Sequence, residues 1–374
     1  HRALRSDRRL RVPDQNPDRG RVGGDRPGLA GVEGDAAALA REQVEAASKE
    51  QVLASLGTAA SELREKLGES LSSIQKHYVP IEQATTSSLD ALKAYAMANE
   101  ERAKGRQVDA ANLYKRAIEL DPNFAMAYAR MAVFHGNREE LEQAQPFAQK
   151  AYDLRDRVSE RERLYISEKH ANYVLGDIDK AIEVLQTWVR LYPNDFIPHN
   201  NLSLNYSYFG RYDEALKEAL EAVRLSPNTT SARDNLIGSF IFLGRFDEAQ
   251  AALQELKSLY PDSPSVHFNT YSLAYVRADR AAMEQEIEWA RGKEFEADFL
   301  TLESSAAINR GELKKGEGLR RRAAEVRMRE GRKDGAAYDL MGLGIRQAVY
   351  GKCTEAKANV APALGLHKGR ITMS

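Results

Sequence analysis

The sequence predicts an all-α solenoid of stacked antiparallel helix pairs, and three observations carry that reading. The first is a period: the heptapeptide FGRYDEA at 209–215 returns as LGRFDEA at 243–249, 34 residues on. Punctuation is the second, since Gly176, Gly210 and Gly244 keep the same step, as do Pro193, Pro227 and Pro261. The third is the recurrence of Ala181, Ala215 and Ala249 at one point of the period. A unit of this length holds two helices and a turn. It is too small to bury its own apolar stripe, so neighbouring units must stack to make a continuous core.

The elements follow in chain order. Residues 1–40 are rich in Arg, Gly, Pro and Asp without helical periodicity. Such a segment cannot bury enough apolar surface to offset its ordering entropy, and a disordered, dispensable tail is expected. Residues 41–88 read as a helical linker: Ser48 to Gln51 forms a capping-box pattern, and Val52, Leu53, Leu56, Ala60, Leu63 and Leu67 share one face. Residues 89–374 hold about eight repeats, the last incomplete. They begin near Ala91, Ala125, Glu162, Phe196, Thr230, Pro264, Ala297 and Ala337, with a capping box over Ser87 to Asp90 before the first.

Within each repeat the alanines fall where two helices must approach closely. Glycine takes the turn because a positive backbone dihedral is easiest without a Cβ. Leu202 and Tyr206, matched by Leu236 and Phe240, supply the larger core residues at helical spacing. Three extra residues after the second repeat predict a bend near 157–160. Ala278 stands in a turn-glycine slot and Gly316 in a packing-alanine slot, which weakens the pattern of the sixth and seventh repeats. Pro362 falls inside the expected last helix.

This period and punctuation resemble the tetratricopeptide repeat (TPR) over roughly 89–363. The resemblance implies a right-handed superhelix with the first helix of each pair on the concave side. The junction, LAREQVEAASKEQVLASLGTAASELREKLGESL followed by PIEQATTSSLDALKAY, is similar to one in bacterial membrane-tethered serine/threonine kinases and related transcriptional regulators. There a TolB-like domain leads into such repeats. That second resemblance implies that 41–88 holds the end of a TolB-like domain. It also implies that the array is a sensor or regulatory region, extracytoplasmic and tethered if its parent is a receptor-type kinase.

Several functions are disfavoured by composition and motif. Net charge is −1, with 54 Lys and Arg against 55 Asp and Glu, so the basic excess of a nucleic-acid binder is missing. Cys353 is a single cysteine and makes neither an internal disulfide nor a zinc cage. No run approaches the about 18 apolar residues of a membrane span. Kinase catalytic motifs are missing; Gly351-Lys352 lacks the glycine and hydroxyl residue of a phosphate loop, and Gly342 and Gly344 lack a dinucleotide fingerprint. His199 and His267 occupy one repeat position, where packing explains them better than metal binding. Trp188 and Trp289 likewise read as core wedges. No catalytic residue, metal or cofactor is expected.

One constellation points to binding. Asn201, Asn235 and Asn269 occupy the sixth position of three successive first helices. Asparagine is a mediocre helix former, so helix stability does not explain its recurrence. Its amide can both donate to and accept from a peptide unit. The array resembles the asparagine ladder of O-linked N-acetylglucosamine transferase, although Arg130 and Ser167 interrupt it upstream. A plain alternative is that asparagine is simply common at that position in the family. Around the ladder the concave face is expected to present Arg163, His170, Tyr173, Asn200, Tyr208, Asp234, Phe268 and Tyr275. These groups suit an extended protein or peptide segment and make no lysine-rich carboxylate clamp.

Overall fold

A computed structural model describes residues 44–46, 51–66 and 86–366. The expected tail, the 67–85 part of the junction and Ser48 lie outside the described residues. Helix α1 spans Val52–Lys66. Sixteen further helices form eight consecutive pairs: α2 (Leu89–Ala103) with α3 (Gln107–Leu120), α4 (Ala125–Asn137) with α5 (Leu141–Asp153), α6 (Glu160–His170) with α7 (Ile178–Leu191), and α8 (Phe196–Tyr208) with α9 (Tyr212–Leu225). The array continues with α10 (Thr230–Phe242) and α11 (Phe246–Leu259), α12 (Pro264–Val276) and α13 (Arg280–Ala290), α14 (Glu296–Asn309) and α15 (Leu313–Arg329), and α16 (Lys333–Val349) and α17 (Cys353–Leu366). The helix α17 runs through Pro362.

Local chemistry sets these boundaries. The cap of α2 is Ser88, one residue later than the sequence pattern suggested, and it accepts from Ala91 N at 3.2 Å. Ser159 and Glu162 make a full capping box on α6, directly after a 3-10 turn at Arg155–Arg157 where the bend was expected. Asp177, Asp195 and Asp279 cap α7, α8 and α13. Most turns within a pair hold a glycine with positive φ; the second and sixth pairs hold Glu139 (φ 61) and Ala278 (φ 57) instead.

The recurring alanines are the buried contact points. Ala110, Ala144, Ala181, Ala215 and Ala249 are all inaccessible or nearly so. Trp188 is fully buried and donates its indole N–H to Asp195 at 3.0 Å, as a core wedge should. His199 is also buried; its Nδ1 meets Glu218 at 2.6 Å. His267 stacks on Trp289 with ring centroids 3.6 Å apart.

Gly316 gives the weakened seventh repeat a physical reason. A Cβ there would lie 2.9 Å from the Ser304 carbonyl and collide with Ile308. Ser304 Oγ donates to the Gly316 carbonyl at 2.7 Å, so α14 and α15 approach more closely than alanine permits. Gly316→Ala is therefore expected to lower stability by about 1–3 kcal/mol through overpacking, against its helix-propensity gain of about 1 kcal/mol. Thermal unfolding of the variant checks the sign.

The solenoid curls far enough to meet itself. The turn between α4 and α5, on the second pair, touches the α13–α14 loop and the α15–α16 turn. Arg138 pairs with Glu294 at 2.7 Å, and Glu139 with Arg327 at 3.3 Å. Glu142 N donates to Asp334 Oδ2 at 2.8 Å across 192 residues of sequence. The array thus closes on itself between the second pair and the seventh and eighth pairs.

Candidate binding face

Three first helices, α8, α10 and α16, carry an open stripe at i, i+4 and i+8, which one helical face must share. On α8 it is Asn200, Leu204 and Tyr208; on α10 it is Asp234, Gly238 and Phe242. Leu204, Tyr208 and Phe242 are exposed, and Gly238 has open space where a side chain would project. On α16 the corresponding Ile345 and Val349 are exposed, with Tyr338 on the same face. Tyr208 is 69% exposed, yet its phenol pKa is raised, first by reduced hydration and then by the charge of Glu139. Lys169 and Tyr338 act on it as well, so groups of the second, third and eighth pairs are near enough to affect it. The stripe of α8 therefore looks across the ring.

Beside this stripe runs a chain of amides and carboxylates. Asn235 Nδ2 donates to both the carbonyl and the Oδ1 of Asn200, each at 3.0 Å. Asn269 Nδ2 donates to Asp234 Oδ1 and to the Ser265 carbonyl, each at 2.8 Å. Asn200 Nδ2 donates to Asn201 Oδ1 at 3.2 Å. Two of the three asparagine amides are thus spent on the preceding repeat. What Asn235 and Asn269 can offer a ligand is their carbonyl oxygen. Among the described residues only the Asn201 amide nitrogen of the three meets no acceptor.

Arg130, which interrupts the asparagines, does the same work. Its Nε donates to Tyr95 Oη at 3.3 Å, one repeat back, and its Nη1 to Tyr165 Oη at 2.9 Å, one repeat forward. In these three cases the sixth residue of a first helix reaches the fifth residue of the previous one, 35 positions earlier. A polar residue at the fifth position, Tyr95, Asn200 or Asp234, was the signal for it.

Two expected groove residues prove to be packing residues. His170 is buried, stacked on Tyr152 at 3.8 Å with Nε2 3.2 Å from Gln149 Oε1. The π-helical turn at Ala171–Leu175 follows it and widens the helix end there. Phe268 packs on Phe299 at 4.5 Å in the core shared by the sixth and seventh pairs, because aromatic burial outweighs exposure at that point. Tyr173 is half-buried against Gly136, and burial pushes its phenol up to about 12. Arg163 is exposed near Glu160 at 3.8 Å. Tyr275 stays partly open, accepting from Asn309 Nδ2 at 2.7 Å. The structure thus brings together Asn200, Asn201, Asp234, Asn235 and Asn269, with Tyr208 alongside. Sequence reading missed Leu204, Gly238 and Ile345, each three residues beyond a sixth position on the same face.

Asp234 is the titratable member. Burial pushes its carboxyl up from 3.8 to about 6, against the hydrogen bonds from Ser265 (2.7 Å) and Asn269. A raised acid binds more protons in the folded state, so its stabilising protonation is complete below about pH 4 and is lost as pH rises through about 6. Relative to Asp234→Asn, the wild type is expected to lose stability across that window and to run parallel above it. Thermal melts of both proteins between pH 4 and 7 read this out.

No group of His, Cys, Asp and Glu able to hold a metal ion occurs among the described residues. No described helix is long and apolar enough to cross a membrane. The surface concavity lined by Arg280, Glu303, Arg310, Glu312 and Lys315 is filled with charges already paired to one another, Arg310 and Lys315 both reaching Glu303.

Residues 113–146, 198–229 and 235–263 match the tetratricopeptide repeat family. The fold of the described residues is an all-helical solenoid of stacked helix pairs, as the repeat period predicted. Among solved structures, the chain is similar to a thermophilic TPR protein of Thermus thermophilus, at 20% identity, 49% of this chain, 98% of that one and a TM-score of 0.37. It is similar to YrrB, described as a TPR protein with an unusual peptide-binding site, at 22% identity, 47% and 90% coverage and a TM-score of 0.29. A third is the second TPR domain of human RPAP3 in complex with an HSP70 peptide, at 21% identity, 30% and 97% coverage and a TM-score of 0.28. A search of the curated proteins finds no match.

Proposed function

We propose that this chain is a scaffold that holds an extended protein segment against the inward stripe of its first helices. The observation that supports this reading most is the pairing of two unlike strips on one face. Leu204, Tyr208 and Phe242 leave apolar surface open, and exposed aromatics next to polar groups are the composition of binding hot spots. The neighbouring strip offers carbonyl and carboxylate oxygens of Asn235, Asn269 and Asp234. An extended backbone supplies N–H groups for such acceptors and alternating side chains for the apolar strip. The ladder therefore works as an acceptor row, with Asn201 its one donor. A regulatory role beside a kinase domain rests on the junction resemblance alone.

Panning a random displayed peptide library against the full chain tests the reading. The enriched peptide is then titrated by calorimetry into wild type and into Leu204→Ser/Tyr208→Ser. Both residues are exposed, so the fold should hold. Affinity is expected to fall by about tenfold or more, as loss of hot-spot residues does. Undiminished affinity in the folded double variant, or failure of any peptide to enrich, would overturn the proposal.

A further inference from the structure

We infer that the ring is clasped, with the polar seam between the second pair and the seventh and eighth pairs opening reversibly to admit a segment sideways. Admission rests on the peptide reading above, whereas the opening itself does not.

Composition separates the seam from the joints between the first seven pairs. Those neighbours share buried apolar clusters, but no such cluster among the described residues includes members from both sides of the seam. The seventh and eighth pairs are joined instead by Asp339, buried between Arg320 and Arg327. What crosses the seam is polar. Arg138 meets Glu294 at 2.7 Å, and the Arg332 guanidinium lies 3.4 Å from the Arg138 carbonyl. Glu139 meets Arg327, and Glu142 N meets Asp334. Glu294 is 46% exposed, so its pair with Arg138 is screened by salt in a way that apolar joints are not, whereas Glu139 Oε2 is buried against Arg327 and is screened less.

Each side is also built to stand alone. Arg327 is buried, but on its own side it holds Asp339 and, at 2.6 Å, Asp298. Arg332 keeps Asp298 and Glu330. Across the seam, Glu140 keeps His135 at 2.6 Å and Arg138 at 3.0 Å. Opening therefore leaves the buried guanidiniums paired. Buried ion pairs resist separation because an unpaired buried charge is costly, and here that penalty does not arise.

The groups that do lose a partner identify the clasp. No side chain of the second repeat caps helix α5, whose first-turn N–H groups need an acceptor. Asp334 supplies it from the far end of the array, on the favourable end of the helix dipole. Glu139 is the second such group. It sits in a turn slot that glycine fills in most other pairs, at φ 61, a conformation that is strained for a residue with a Cβ. Its carboxylate lies close to Gly335, where an added Cβ would be 3.4 Å from Oε2 and 2.8 Å from Arg327 Cδ. A strained glutamate opposite an obligatory glycine is explained by the contact they permit.

The test needs no ligand. One dye goes on Cys353, which is exposed, and its partner on Lys150→Cys, an exposed position of α5. Energy transfer between them is followed as salt rises from about 0.05 M to about 1 M. Transfer in the wild type should fall with salt and recover on dialysis, while helical content stays constant. Asp334→Ala and Glu139→Gly should each show the low-transfer state already at low salt. Glu139→Gly is the stricter variant, because it relieves the turn and should raise thermal stability while the ring opens. Ala278→Gly relieves the other strained turn, away from the seam, and should leave transfer unchanged. Salt-independent transfer, or a Glu139→Gly protein as closed as wild type, would overturn the clasp. Neither result would bear on whether the inward face binds a peptide.

Discussion

Asp339→Ala is expected to destabilise the C-terminal repeats by about 3–5 kcal/mol. Asp339 is 0% exposed and lies between two buried guanidiniums, with Arg320 Nε at 2.9 Å and Arg327 Nη1 on its other oxygen. Thr301 Oγ1 donates to it at 3.1 Å. Removing the carboxylate leaves two cations in the interior with one fewer partner, which is far more costly than losing an exposed pair. Asp339→Asn should cost less, since the amide oxygen still accepts from Thr301 and one guanidinium. Denaturant unfolding of the three proteins gives the order wild type, Asn, Ala. Equal stabilities would mean that water or a rearranged glutamate replaces the lost charge.

Ala215→Leu is expected to cost about 1–3 kcal/mol by overpacking. Ala215 is fully buried in the core joining the first four pairs, on the face of α9 that meets α8. A solenoid's stability is the sum of repeat and nearest-neighbour terms, so the damage should be local. Hydrogen exchange should accelerate first over residues 196–261 and last in the terminal repeats. Uniform acceleration along 91–363 would show that ring closure has made the array one cooperative unit, which is a property the seam could confer.

The fold was legible because its constraints are local and periodic. Gly210 and Gly244 mark turns that need positive φ, and Ala215 and Ala249 mark contacts that need small side chains. Each recurs at a step that a sequence displays directly. Gly316 was readable only as a lapse, since a closer helix approach gives no sign in sequence of the neighbour that demands it.

The binding face was half legible. The asparagines could be placed on one helix face, but not the direction in which their amides point. Asn235 turns back to Asn200 because an unpaired half-buried amide is costly and an acceptor lies within reach. His170 was misplaced because Tyr152 and Gln149 of the preceding pair cover its ring, a contact that helical periodicity cannot foresee. The seam was invisible. Glu142 and Asp334 are 192 residues apart, and nothing repeats at that distance. Only Glu139 in a glycine slot hinted at it, through a backbone strain that needed a compensating partner.

The most direct measurement of the central claim is site-specific photocrosslinking of the library-selected peptide. A photoreactive benzoylphenylalanine replaces Tyr208, Gly238 or Lys217 in turn. Tyr208 and Gly238 lie on the inward stripe, and Gly238 has open space for the new side chain. Lys217 is exposed on the second helix of its pair. Crosslinks at 208 and 238, with none at 217, are the expected result. Crosslinking at 217 alone would place the segment on the outer helices and contradict the account.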